Sequence, residues 1–166
     1  SELAKKIRLI VNHGQEERYK YKIVGLNSRL DALQASILSF KLSLLDEFTQ
    51  KRQSAAVSYN KKLCDLDWLQ TPVNQSHSNH VYHQYSVVLS TQINRDKFQK
   101  YLASYEIPSM IYYPIPLHQQ EAYKKYANKS LPISEKVAKQ IISLPMHPEL
   151  DLEQINFICD IIKKYV

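Results

Sequence analysis

Leu3, Ile7, Ile10 and Val11 recur at the three- and four-residue spacing of a helix face, and Asn12-His13-Gly14 supplies a stop. Gln15–Val24 is polar and rich in tyrosine, with no clean period, and reads as a loop. Ser28 can cap a second helix, with Asp31 at the capping-box position and Leu30, Leu33, Ile37, Leu38 and Leu42 as its apolar stripe. Asp46 restarts a third, running to about Leu63, whose stripe is Ala55, Ala56, Tyr59 and Leu63. The two together predict a helical block of about three dozen residues, long enough to bridge two parts of a structure.

Trp68–Ser76, which holds Pro72, breaks that block. Val81, His83, Tyr85, Val87 and Leu89 then alternate with polar neighbours, a strand signature. Asn94 or Asp96 opens a helix through Tyr105. Pro108 precedes a second strand, Ser109–Tyr113, which Pro114 and Pro116 end; Gln119–Tyr126 reads as a short helix. Pro132 with Ser134 opens another helix to about Ile142, and Leu144–His147 adds a short strand. Asp151 starts the last helix, with Leu152, Ile155, Ile158, Ile161 and Ile162 on one face. The pattern predicts an α+β fold, with helices packed on a small antiparallel sheet. It contains no internal repeat and no low-complexity tract.

With 166 residues, 44% hydrophobic and 23% charged, the chain can build one good core. Its apolar runs are too short for a membrane span, and Ser1–Gly14 reads as a basic amphipathic helix rather than a signal peptide, so neither a membrane nor secretion is expected. Cys64 and Cys159 lie among apolar residues in helical stretches and read as buried free thiols of a reducing cytoplasm. The net charge of +6 favours anionic partners. The lysines are spread along helices and mixed with acids, however, so a solvated surface accounts for most of them and no nucleic-acid partner is expected. Glycine narrows the field further. Only Gly14 and Gly25 are present, too few for a glycine-rich phosphate loop, which excludes P-loop and dinucleotide-fingerprint enzymes.

His77, His80 and His83 invite a metal reading. On the inferred strand His80 and His83 point to opposite faces, and no cysteine or carboxylate completes a shell, so no metal is expected. Asp31, Asp46 and Glu47 read as caps and surface charges. On the residues alone this is an α+β domain without visible catalytic apparatus. Two stretches carry candidate chemistry. In Gly25–Ala35, Gly25 offers a flexible backbone point, and Asn27 and Arg29 stand at a helix start, where an amide, a guanidinium and unpaired N–H groups suit a phosphate. The plainer account is ordinary capping, with Arg29 paired to Asp31 or Glu17. In Met110–His118, prolines at alternate positions stiffen a strand exit around Tyr112, Tyr113 and His118, a reasonable edge for a sugar or nucleotide. The plainer account there is one tyrosine in the core and one on the surface.

These stretches resemble the nucleotide-sugar aminotransferases of the DegT/DnrJ/StrS group. The matching pieces are Arg8–Gly14, Gly25–Leu38, Leu45–Asn60, His80–Tyr85, Tyr113-Pro114-Ile115-Pro116-Leu117-His118 and Ser143–Pro148, six motifs in family order that cover nearly the whole chain. The resemblance implies an aspartate-aminotransferase-like fold of type I and identifies the chain with its C-terminal portion. Residues 1–45 would then close the large cofactor-binding domain and begin the linker helices, and residues 46–166 would form the small α+β domain. It implies a cytoplasmic homodimer with active sites at the interface, and pyridoxal 5'-phosphate as cofactor. The reaction implied moves an amino group from L-glutamate to a keto sugar on a nucleoside diphosphate, in cell-surface polysaccharide biosynthesis.

The resemblance also implies residue roles. Asn27 would reach the cofactor phosphate of the neighbouring subunit, and Arg29 would lie near charged groups of the substrate. Tyr112, Tyr113 and His118 would line the sugar-nucleotide site, Tyr112 standing where many relatives have histidine. The Schiff-base lysine is expected upstream of residue 1, so no residue of this chain is expected to be catalytic, and the chain alone is expected to be inactive. Two alternatives accompany this reading. One is a non-catalytic nucleotide-sugar-binding or dimerisation module; the other is a relative acting as a sugar dehydratase.

Overall fold

The computed structural model describes residues 1–126 and 129–166. The chain divides into two compact units, Ser1–Leu45 and Asp46–Val166. In the first unit, helix α1 (Glu2–Val11) starts under Ser1, whose side chain accepts the Ala4 N–H, and it ends at Asn12. The returning segment zips onto that end. His13 N donates to Leu26 O at 2.9 Å, Leu26 N to Ile10 O at 2.8 Å and Ser28 N to Val11 O at 3.0 Å, with Asn12 and Asn27 opposite each other as an antiparallel bridge.

Both glycines belong to this junction. Gly14 sits at φ +74°, and a Cβ on it would meet Ile23 O at 1.8 Å; a Cβ on Gly25 would lie 2.2 Å from Gly14 N and 2.5 Å from Ile10 O. Gly25 is therefore not the flexible point expected, but a place where two backbones touch with no room for a side chain. The expected loop over Gln15–Val24 holds a small antiparallel hairpin, β1 (Gln15–Glu17) with β2 (Lys20–Tyr21), turning through Tyr19 at φ 65°. Its side chains are almost all exposed, so no face is buried and no alternation marks it in the sequence. Helix α2 (Ala32–Ser43) is led by Asp31, not Ser28, whose N–H is taken by Val11, and Asp31 makes no side-chain capping bond. Leu30 precedes α2, and Leu33, Ile37, Leu38 and Leu42 are all exposed, so the apolar stripe packs on nothing within this unit.

The second unit holds the core. Helix α3 (Leu45–Leu63) buries Ala55, Ala56, Tyr59 and Leu63, the stripe its spacing predicts. The sheet is antiparallel in the order β3 (Leu69–Gln70), β4 (Tyr85–Leu89), β5 (Ile141–Leu144), with Leu69 opposite Leu89 and Tyr85 opposite Leu144. In β4, Tyr85, Val87 and Leu89 are buried and Ser86 and Val88 half-buried. Tyr59 stacks on Tyr85 with ring centroids 4.8 Å apart. Helix α4 (Arg95–Ser104) adds Phe98 and Leu102, capped by Asn94 accepting from Lys97 N at 2.9 Å. Helix α6 (Leu152–Lys163) adds Ile155, Ile158, Cys159, Ile161 and Ile162 behind an Asp151/Gln154 capping box. Each such aliphatic side chain contributes roughly 1.5–3 kcal/mol by burial, against about 1 kcal/mol for a cap, so the helix faces rather than their ends hold this unit together.

Several expectations are corrected. The strand predicted from Val81 begins only at Tyr85, because Tyr82 takes φ 46° and is itself buried while Val81 and His83 face solvent. Ser109–Tyr113 is reduced to one bridge, Met110 N to Ser143 O at 3.1 Å and Ser143 N to Met110 O at 2.7 Å, since Pro108, Pro114 and Pro116 donate nothing to a ladder. Helix α5 (Pro132–Gln140) stops at Gln140, and the last strand is Ile141–Leu144 rather than Leu144–His147. In place of one helix over Gln119–Tyr126 the chain makes two 3₁₀ turns, Leu117–Gln119 and Glu121–Tyr126. Cys159 is buried as expected, and burial pushes its thiol up to about 11; Cys64 is exposed. Leu152 is also exposed, one turn ahead of the buried face of α6.

Candidate functional site

In the first unit, the side chains of Asn12, Asn27 and Arg29 meet at the end of α1. Arg29 Nε donates to Asn27 Oδ1 at 3.2 Å and Arg29 Nη1 to Asn12 Oδ1 at 3.3 Å. Both alternatives for Arg29 are overturned: among the described residues no carboxylate pairs with it, and Glu17 is held by Lys20. The helix-start account is overturned as well, because α2 begins three residues after Arg29. What remains is a side-chain arrangement. A guanidinium can only donate, so its bond fixes the Asn27 amide with oxygen inward and leaves the NH₂ group as the outward donor. Asn27 and Arg29 are both exposed. The pair therefore presents N–H donors and one uncompensated positive charge, a set that matches the acceptor-only oxygens of a phosphate or carboxylate.

In the second unit, Tyr112, Tyr113 and His118 line one cleft of about 770 Å³, whose opposite wall is the start of α5 with Leu131, Ile133 and Val137. The prolines bring these groups together: Pro116 leads directly into the Leu117–Gln119 turn that carries His118. Tyr113 is 73% exposed and Tyr112 half-buried, their rings 5.8 Å apart at 70° and their shared peptide cis. Neither tyrosine is a core residue. Tyr59 and Tyr85 are, with hydroxyls that donate to Pro145 O and Asn60 Oδ1 and are raised far out of reach of titration, chiefly by burial. His118 is nearly covered, and its Nε2 lies 3.0 Å from Glu135 Oε1.

Glu135 was not among the residues singled out by sequence. The same Oε1 accepts from Leu131 N at 2.9 Å and from Ser130 Oγ at 2.9 Å. Those bonds, the Leu131 backbone bond first, hold its carboxyl below the usual range. The available signal was Glu135 in the first turn of a helix opened by Pro132, where a carboxylate can reach back to the N–H of the N-cap. Nothing in the sequence joins it to His118, seventeen residues earlier. Among the three earlier histidines, His80 Nδ1 accepts the Tyr82 N–H at 2.9 Å and its ring lies 4.2 Å from that of Tyr82, a local turn contact. Among the described residues there is no group of three metal-ligating side chains and no helix long and apolar enough to cross a membrane.

The sequence model described as the DegT/DnrJ/EryC1/StrS aminotransferase family matches residues 1–163. A UDP-2-acetamido-2-deoxy-3-oxo-D-glucuronate aminotransferase of Pseudomonas aeruginosa is 42% identical over 158 residues, covering 95% of this chain and 43% of that protein. A dTDP-3-amino-3,6-dideoxy-alpha-D-galactopyranose transaminase of Aneurinibacillus thermoaerophilus is 36% identical over 165 residues, covering 99% and 44%. The crystal structure of a DegT DnrJ EryC1 StrS aminotransferase from Brucella abortus superposes with a TM-score of 0.86 at 37% identity, over 99% of this chain and 44% of that one. The chain thus spans under half the length of the proteins it matches.

Proposed function

The chain belongs to the DegT/DnrJ/EryC1/StrS aminotransferase family, and we propose that it is part of an enzyme that moves an amino group from L-glutamate to a keto sugar carried on a nucleoside diphosphate. In this reading Ser1–Leu45 closes the cofactor-binding domain and Asp46–Val166 is the small domain, in a cytoplasmic homodimer serving cell-surface polysaccharide biosynthesis. The observation that carries it is the donor pair at the end of α1, where Arg29 holds the Asn27 amide at 3.2 Å with its NH₂ group outward.

That donor set fits the phosphate of pyridoxal 5'-phosphate, which offers only acceptors. Asn27 would hold the phosphate of the partner subunit's cofactor, and Arg29 would orient Asn27 and add positive charge beside it. When bound, the cofactor supplies the carbonyl that carries nitrogen between the two substrates. No lysine of this chain is assigned to that carbonyl. The second unit supplies the other substrate's wall. Tyr113 offers an exposed hydroxyl to the sugar or diphosphate, Tyr112 an aromatic face, and His118 an imidazole held by Glu135, while the apolar side of α5 excludes water. The test is glutamate-dependent amination of UDP- and dTDP-linked 3-keto sugars by the full-length enzyme. Transfer to either supports the proposal; turnover of a nucleotide sugar by dehydration, without nitrogen transfer, overturns it.

A further inference from the structure

One carboxylate oxygen joins both walls of the cleft. Glu135 Oε1 takes the N–H of Leu131 and the hydroxyl of Ser130, which open α5, and the His118 Nε2 of the tyrosine loop, all at 2.9–3.0 Å. An ionised carboxylate can only accept, so His118 must carry hydrogen on Nε2. In the neutral ring this leaves Nδ1 with its lone pair, an acceptor for a ligand hydroxyl or amide. A histidine without this partner would divide between two tautomers and turn more freely.

We propose that Glu135 is a positioning residue for sugar-nucleotide binding: it fixes the His118 tautomer and ring orientation and ties the tyrosine loop to α5. This inference rests on the substrate-site reading of the cleft. The helix-capping bond alone would be an ordinary structural role. What exceeds it is the third partner, a largely covered imidazole from another segment that lines the same cleft.

Glu135→Gln separates the two roles. A glutamine oxygen in the place of Oε1 still accepts from Leu131 N and Ser130, so α5 keeps its start, but a neutral amide oxygen holds the Nε2–H form of His118 less firmly than a carboxylate does. In the full-length enzyme the variant is expected to raise KM for the accepted UDP- or dTDP-linked 3-keto sugar about three- to tenfold, with the glutamate half-reaction within about twofold. In a His118→Ala background the same change should have no further effect, whereas an independent structural role adds in full. Nitrogen NMR of the ¹⁵N-histidine-labelled enzyme should show the Nε2–H form of His118 alone in the parent and both forms in Glu135→Gln. Additive effects in the cycle, or both tautomers already present in the parent, overturn the inference. If His118→Ala leaves the sugar-nucleotide KM unchanged, the substrate-site reading fails instead, and the inference falls with it.

Discussion

Arg29 Nε donates to Asn27 Oδ1 at 3.2 Å, so the guanidinium decides which end of the Asn27 amide faces outward. If that end binds the cofactor phosphate, Asn27→Ala in the full-length enzyme should weaken cofactor retention by roughly 1.5–3 kcal/mol, the range for a hydrogen bond to a charged group. That is about ten- to a hundredfold in affinity. Equilibrium dialysis against pyridoxal phosphate, on protein verified as dimeric, gives the answer. Unaltered affinity removes Asn27 from the cofactor site.

Two tyrosines provide a contrast within one domain. Tyr59→Phe deletes a buried hydroxyl that donates to Pro145 O at 3.1 Å. It should cost about 1–3 kcal/mol of stability and spare substrate specificity. Tyr113→Phe removes a hydroxyl from a residue exposed at 73% and should leave the melt unchanged. Its effect should fall on KM for the sugar nucleotide and not on the glutamate half-reaction. Equal damage to both half-reactions, or a lowered melt for Tyr113→Phe, would take that tyrosine out of the substrate site.

The depressed carboxyl of Glu135 has a consequence in acid. A group with a lowered folded-state pKa adds stability that is complete above its ordinary value, about 4.3 for glutamate, and is lost as pH falls through the folded value. Denaturant unfolding of the parent should therefore lose this increment below about pH 4. Glu135→Gln, which has no proton to take up, should show a shallower decline over the same interval. Parallel curves for the two proteins contradict the assignment.

Gly25→Ala tests the backbone junction. The added methyl would press on Gly14 N and Ile10 O, which are backbone atoms and cannot swing aside. A cost of about 1–3 kcal/mol is expected, the usual penalty of overpacking, with faster amide exchange at His13, Leu26 and Ser28. Protection of those three amides equal to that of the parent would show that the junction yields more easily than its geometry says.

The elements legible in the sequence are those whose burial has a period. Ala55, Ala56, Tyr59 and Leu63 on α3, Tyr85, Val87 and Leu89 on β4, and the isoleucines of α6 announce which face turns inward, and they do turn inward. Elements without a buried period give no such sign: β1 and β2 expose nearly all their side chains, and β3 is two residues long. The candidate site divides in the same way. Tyr112, Tyr113 and His118 stand close together in sequence beside prolines and could be grouped by eye, and the structure places them on one cleft. Arg29's bond to the Asn12 amide and the Glu135–His118 pair depend on chain reversals that no local pattern encodes.

The end of α4 offers a route to a more robust protein. Ile107 N bonds to Leu102 O and Glu106 N to Ala103 O, both at 3.0 Å, while buried Ile107 and Leu102 provide the apolar partners of a Schellman motif. The position that such a motif gives to glycine is occupied by Glu106, at φ 59°. A left-handed residue with a side chain costs roughly 1–2 kcal/mol, more than the roughly 0.5–1 kcal/mol that glycine adds in lost chain entropy. Glu106→Gly should accordingly raise the melting temperature while leaving the cleft and the α1 junction untouched, an engineering gain available without redesigning any packed residue.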